Sequence, residues 1–173
     1  MEYITPYRIR AFLEAVGERY ARPATLFLIG GSALALLGSP RLTLDVDYIG
    51  DDLKLDDLQK VVAQIADEMH VDVEPVPIAQ FVPLPENAQD RCVFLAKFGS
   101  LTVYVFDPYT IALSKLDRGF DTDIEDVVFL INQGFVEFEQ LETYVSITLE
   151  RANEFDMDPA AVRMRLQVVR TLL

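Results

Sequence analysis

Two hydrophobic periods alternate along this chain. Near its start Ile9, Phe12, Leu13 and Val16 recur at three- and four-residue steps, the spacing of a helix with one buried stripe. Thr5 offers a cap, Pro6 suits the first turn, and Arg22-Pro23 ends the segment. Residues 26–29 are an apolar run too short for a helix, which predicts a buried strand. A short helix over 30–38 follows, and then the period changes to two. In Arg41-Leu42-Thr43-Leu44-Asp45-Val46-Asp47-Tyr48 the polar residues hold the odd positions. A strand over 42–49 therefore shows Arg41, Thr43, Asp45 and Asp47 on one face. Gly50-Asp51-Asp52 reads as a turn, and Asp56 or Asp57 opens a helix to about Met69 with Leu58, Val61, Val62 and Ile65 inward.

His70-Val71-Asp72-Val73-Glu74 reads as a strand ended by Pro75 and Pro77. Residues 79–90, with Pro83 and Pro85, read as loop. Strands over 92–98 and 101–106 form a hairpin through Gly99-Ser100. Asp107-Pro108 starts a helix that stops at Gly119, and Thr122 with Glu125 gives a capping-box pattern for another that stops at Gly134. Helices over 137–154 and 158–173 complete the chain. This order predicts an α/β (α+β) fold, a mixed sheet flanked by helices with a helical C-terminal tail. The expected division is a domain over 1–136 and a helical extension over 137–173 packed on it.

Composition narrows the functional classes. With 51% apolar residues among 173, the chain can bury a core. Its net charge of −13 argues against bulk binding to DNA, because phosphate contacts need clustered Lys and Arg. The most basic stretch is the last helix, with Arg163, Arg165 and Arg170. One cysteine, Cys92, excludes a disulfide framework within the chain, which fits a reducing, cytoplasmic setting. No apolar run reaches the ~18 residues of a membrane span, and Met1-Glu2-Tyr3 does not start a signal peptide.

The candidate chemistry lies in residues 30–47. Asp45 and Asp47 point the same way, roughly 6–7 Å apart along the strand. Aspartate is disfavoured in strands, and paired carboxylates repel unless something offsets the charge. A hard divalent cation such as Mg²⁺ (or Mn²⁺) takes such oxygens. Upstream, Gly30, Gly31 and Ser32 form a strand-to-helix junction at which backbone N–H groups favour an anion such as phosphate. The third glycine of a dinucleotide fingerprint is absent. A calcium loop starting at Asp45 fails because Ile49 fills a ligand position and Asp56 stands where Glu is needed.

Gly-Gly-Ser-Ala-Leu at 30–34 followed by Arg41-x-Thr43-x-Asp45-x-Asp47 resembles the polymerase-β-type nucleotidyltransferase superfamily. The form is similar to its small bacterial members, including the abortive-infection toxins of type IV toxin–antitoxin systems. A second match lies at Asp107-Pro108-Tyr109, Ser114-Lys115-Leu116 and Arg118, followed by Asp121 to Val127. The resemblance covers about residues 20–145. It implies a nucleotidyltransferase-like fold and Mg²⁺-dependent transfer of a nucleoside monophosphate from a nucleoside triphosphate. Asp45 and Asp47 would hold the metal, and Gly30, Gly31, Ser32, Arg41, Thr43, Lys115 and Arg118 would bind the nucleotide.

A third carboxylate is also implied. Asp72 is the first candidate, because it lies on the strand after the intervening helix. Glu74 shares its face, and Asp107 ends a later strand. The acceptor is open between a small molecule, a protein and RNA, and a protein partner or homodimer is compatible with the composition. The alternative from another class is a catalytically inactive nucleotidyltransferase-fold interaction module. His70 reads as a helix-terminal residue, Cys92 as a buried structural thiol, and Asp123 and Asp126 as dipole compensation at a helix start.

Overall fold

A computed structural model describes residues 3–173; Met1 and Glu2, part of the signal-peptide reading above, lie outside it. The chain forms two compact units. One comprises Met1–Ile78 and Cys92–Phe106, the other Ala79–Arg91 and Asp107–Leu173. The expected boundary at 136/137 thus falls inside the second unit, just before its helix α6, Phe138–Thr148.

The first unit contains α1 (Pro6–Tyr20), β1 (Ala24–Leu28), α2 (Gly30–Leu36), β2 (Asp45–Ile49), α3 (Asp57–Met69), β3 (Asp72–Val76), β4 (Val93–Phe98) and β5 (Leu101–Val105). Its five-stranded mixed sheet has the order β3-β2-β1-β5-β4. β1 runs parallel to β5 and antiparallel to β2, while β2 and β3 are parallel. One sheet face carries Leu26, Leu28, Val46, Tyr48, Leu101, Val103 and Val105, all buried. Ile9, Phe12, Leu13 and Val16 of α1 and Val62 and Ile65 of α3 belong to the same core. α1 lies against β4 and β5, and α3 against α1 and β3.

Local chemistry sets the ends of these elements. Thr5 caps α1 by accepting from the Arg8 N–H at 3.3 Å. Asp56 and Gln59 form a reciprocal capping box on α3. β2 is shorter than its alternation suggests, because Thr43 bridges Ile4 instead and the ladder to β3 starts at Asp45. β3 runs through Pro75, which the sequence reading took as its end. It is an edge strand, where the missing N–H of proline is tolerated. His70 is not in the strand but ends α3 in a left-handed conformation (φ 52°), and Arg8 donates to the Met69 and His70 carbonyls at 3.0 Å each.

The second unit holds α4 (Pro108–Arg118), α5 (Asp121–Asn132), α6 and α7 (Pro159–Leu172). Buried Asp107 caps α4 through the N–H groups of Tyr109 and Thr110. α5 starts one residue before Thr122: the Asp123 carboxylate accepts from the Phe120 N–H at 3.3 Å and fills the capping role expected of the Thr122–Glu125 pair. The helix expected over 137–154 is divided, with α6 followed by a 3₁₀ segment, Leu149–Glu154. Arg165 of α7 donates to the carbonyls of Leu116 (2.8 Å) and Asp117 at the end of α4. Among the described residues no helix is long and apolar enough to cross a membrane.

Candidate active site

The backbone of residues 28–32 and 43–47 is knitted together before any ligand is considered. β1 ends at Leu28, and the Ile29 N–H donates to the Asp47 carbonyl at 3.0 Å. The chain then turns through Gly30, whose φ of +66° is a conformation few L-residues adopt. A Cβ at Gly30 would collide with the Asp47 carboxylate, and one at Gly31 would lie 2.7 Å from Thr43 Oγ1. Close approach therefore requires both glycines, and at Gly30 conformation requires one as well. Gly30→Ala is expected to displace the Asp47 carboxylate and cost about 1–3 kcal/mol of strain, read as a lower melting temperature together with lost metal binding.

Ser32 ties the turn to the carboxylate strand. Its hydroxyl is fully buried, donates to the Ile29 carbonyl at 3.2 Å and accepts from the Asp47 N–H at 3.3 Å. The side chain is thus occupied within the fold. What the junction can offer an anion is backbone N–H groups of the first helical turn, which have no intrahelical acceptor. Thr43, also buried, donates to Asp45 from Oγ1, at 3.3 Å to the carbonyl and 3.4 Å to Oδ1. Arg41, half-buried, precedes it.

Sheet register brings the acids together. Asp45 pairs with Asp72 and Asp47 with Glu74 across the parallel β2–β3 ladder. Carboxylate oxygens of Asp45, Asp47 and Glu74 lie within 4.8 Å of one another. Asp45 and Asp47 are half-buried and Glu74 exposed. This all-oxygen set, reachable from solvent and with like charges crowded together, fits a hard divalent cation. Asp72 lies outside the cluster; it opens β3, exposed, beside a cleft lined by Arg8, Leu44 and His70.

Lys115, Arg118 and Asp107 belong to the second unit. Lys115 is 2% exposed, and its ammonium sits between Asp123 Oδ1 (3.2 Å) and Asp126 Oδ2 (2.6 Å). The Arg118 Nε donates to Asp123 Oδ2 at 2.9 Å, and its Nη2 to Oδ1 at 2.5 Å. Burial alone would raise the Asp123 carboxyl; the guanidinium and ammonium beside it outweigh burial and hold it below the ordinary carboxylate range. Asp123 and Asp126, read above as ordinary first-turn acids, are the counter-charges of a buried ion cluster. Asp107 is fully buried and bonded by Arg91 (Nε at 2.8 Å, Nη2 at 2.5 Å), with Arg91 stacked over Tyr109 and Tyr144. The Arg91 clamp is a feature the sequence reading did not single out, since nothing local to a Pro-rich segment announces a partner sixteen residues on.

A mixed sheet with an Asp-x-Asp strand beside a glycine turn that opens a short helix is the arrangement of nucleotidyltransferase-like folds. Residues 7–165 match the family described as "Nucleotidyltransferase of unknown function (DUF6036)", and the chain belongs to that family. No curated protein and no solved structure matches it significantly.

Proposed function

We propose that this protein transfers a nucleoside monophosphate from a nucleoside triphosphate to an acceptor hydroxyl. The observation that carries the reading is the convergence of Asp45, Asp47 and Glu74 beside the Gly30-Gly31 turn. Asp45 and Asp47 would hold Mg²⁺ (or Mn²⁺), with Glu74 completing the set. When bound, the metal supplies positive charge to the phosphate oxygens, the larger part of catalysis in phosphoryl-type transfer. Backbone N–H groups at Gly31 and Ser32 bind phosphate oxygens. Glu74, the exposed acid, takes the proton of the acceptor hydroxyl. The acceptor oxygen forms a bond to the α-phosphorus, the bond from that phosphorus to the departing oxygen breaks, and pyrophosphate leaves. The ion pairs of Lys115 and Arg118 support a structural role for these two residues rather than a place on the triphosphate.

The setting we propose is the cytoplasm, and the resemblance to abortive-infection toxins supports a place in a toxin–antitoxin pair. Growth arrest on expression, cured by Asp45→Ala, is the result expected of a toxin.

Calorimetric titration of ATP, CTP, GTP and UTP with Mg²⁺ tests the core reading. Binding of at least one nucleotide, lost in the Asp45→Asn, Asp47→Asn double variant, is expected. No binding at about millimolar concentration, an affinity of roughly 4 kcal/mol, would overturn it in favour of an inactive interaction module. Carboxylate geometry favours Glu74 over Asp72 as the third acid, because the oxygens gathered with those of Asp45 and Asp47 are those of Glu74. Glu74→Gln is expected to lower kcat by about 10²–10⁴-fold, the usual worth of general acid–base catalysis. Asp72→Asn should change it by less than about tenfold, and the reverse order would return the role to Asp72.

A further inference from the structure

The sheet face that carries the acids has a second ordered row of side chains. Pairing of Leu28 with Tyr48 places Ile29 opposite Asp47 and Phe27 opposite Ile49. Phe27 in turn pairs with Tyr104, Tyr104 with Phe94, and Ile49 with Val76. Partners across a ladder share a face. Phe94, Tyr104, Phe27, Ile49 and Val76 therefore form one continuous apolar row across all five strands. It lies two residues, roughly 7 Å along the strands, from the row of Asp47 and Glu74.

The rings touch in sequence, with centroids 5.7 Å apart for Phe94–Tyr104 and 5.8 Å for Phe27–Tyr104. Phe106 packs edge-on against Phe27, the middle member of the row, at 5.9 Å. Phe94 is 58% exposed, and the other four residues are half-buried, whereas the alternate residues of β1, β2 and β5 are sealed in the core. Aromatic rings held in contact at a solvent-facing surface are costly to leave there without use.

Three features define an occupant. On one side the acid row is closed by the Gly30–Gly31 turn, which leaves no room even for a Cβ against Asp47. A substrate group that reaches the acids and extends along the sheet must therefore lie on the ring row. Beyond the rings the next row carries Thr25, Thr102 and Lys97, which offer hydrogen bonds to heteroatoms at the far edge of a stacked ring. The outward positions of the strands hold Asp45, Asp47, Asp72 and Glu74 against the single cation Lys97, a field that disfavours a polyanion.

We infer that the Phe94–Tyr104–Phe27 row binds the acceptor, and that the acceptor is a small, uncharged heteroaromatic compound carrying a hydroxyl. The word acceptor rests on the nucleotidyl-transfer reading above, in which the phosphates occupy the glycine side. The hydroxyl then enters from the ring side, in line with the leaving pyrophosphate. Its oxygen bonds to the α-phosphorus as the pyrophosphate bond breaks, and its proton passes to Glu74.

Free nucleosides are the test probes. Adenosine, guanosine, cytidine, uridine and ribose are titrated into the wild-type protein and into Phe94→Ala, Tyr104→Leu and Asp47→Asn, with Mn²⁺ binding measured on each. At least one nucleoside should bind and ribose should not. Phe94→Ala, at an exposed site, should weaken that binding by at least about fivefold with melting temperature and Mn²⁺ binding unchanged. Asp47→Asn should lose Mn²⁺ while keeping the nucleoside within about twofold, a difference within a few tenths of a kcal/mol. Absence of binding by all four nucleosides, or equal binding by wild type and both ring variants, overturns the inference. So does tighter binding of an oligouridylate than of uridine. A protein that binds a nucleoside through Phe94 but no Mn²⁺ loses the acceptor role and the transfer reading, while the ring surface remains.

Discussion

Asp47→Asn is expected to abolish nucleotidyl transfer while leaving the protein folded. Asp47 is the centre of the site: its carbonyl receives the Ile29 N–H, its N–H donates to Ser32, and its carboxylate rests against Gly30. Asparagine keeps the size and both backbone bonds and removes one negative charge from three crowded carboxylates. Stability should therefore change by less than about 1 kcal/mol. Activity should fall by about 10³-fold or more, since metal stabilisation of transition-state charge is worth several kcal/mol and each 1.36 kcal/mol is a decade. Mn²⁺ titration and a radiolabelled transfer assay on the same preparation check both halves. Full activity in the variant would remove the carboxylate pair from the reaction.

The largest stability effect is expected at Lys115. Lys115→Met keeps the aliphatic stem and deletes the charge that balances Asp123 and Asp126, all three nearly inaccessible. Breaking a buried pair by removing one partner costs about 3–5 kcal/mol. The pH dependence should weaken as well. In the wild type the depressed Asp123 carboxyl contributes stability above the unfolded value near 3.9, lost as pH falls through the folded value. Without the ammonium, Arg118 still opposes burial at Asp123, so its carboxyl is depressed less than in the wild type. Melting of the variant should thus fall less steeply than that of the wild type as pH drops below the ordinary carboxylate range. A double variant, Lys115→Met with Asp126→Leu, should recover most of the loss.

Much of the site could be placed from residue order alone. The alternation of 41–48 put Asp45 and Asp47 on one face, and the glycines before them marked a strand-to-helix junction. Choosing among the third acids was harder, because Asp72 and Glu74 share a face at period two. The ladder puts each opposite an aspartate, Asp72 by Asp45 and Glu74 by Asp47, and it is the side-chain oxygens of Glu74 that gather with those of the pair. Lys115 and Arg118 looked like ligands for phosphate because a helical face with two cations carries no sign of what packs on it; the partners stand five to eleven residues on. Phe94, Tyr104 and Phe27 looked like ordinary strand aromatics until two pairings placed them side by side.

The segment Ala79–Arg91 joins the second unit although β4 and β5 of the first follow it in the chain. Its anchors are Asp107, Tyr109 and Tyr144, which hold Arg91, and Tyr144 again, whose hydroxyl donates to the Pro83 carbonyl at 3.3 Å. A ribosome therefore delivers this strap well before the residues that fasten it. All five strands are synthesised by Val105, yet the strap that precedes β4 is not fully fastened until Tyr144 has left the exit tunnel. Stop codons between those two points would yield a sheet-forming chain with a loose proline-rich loop, a ready substrate for proteases.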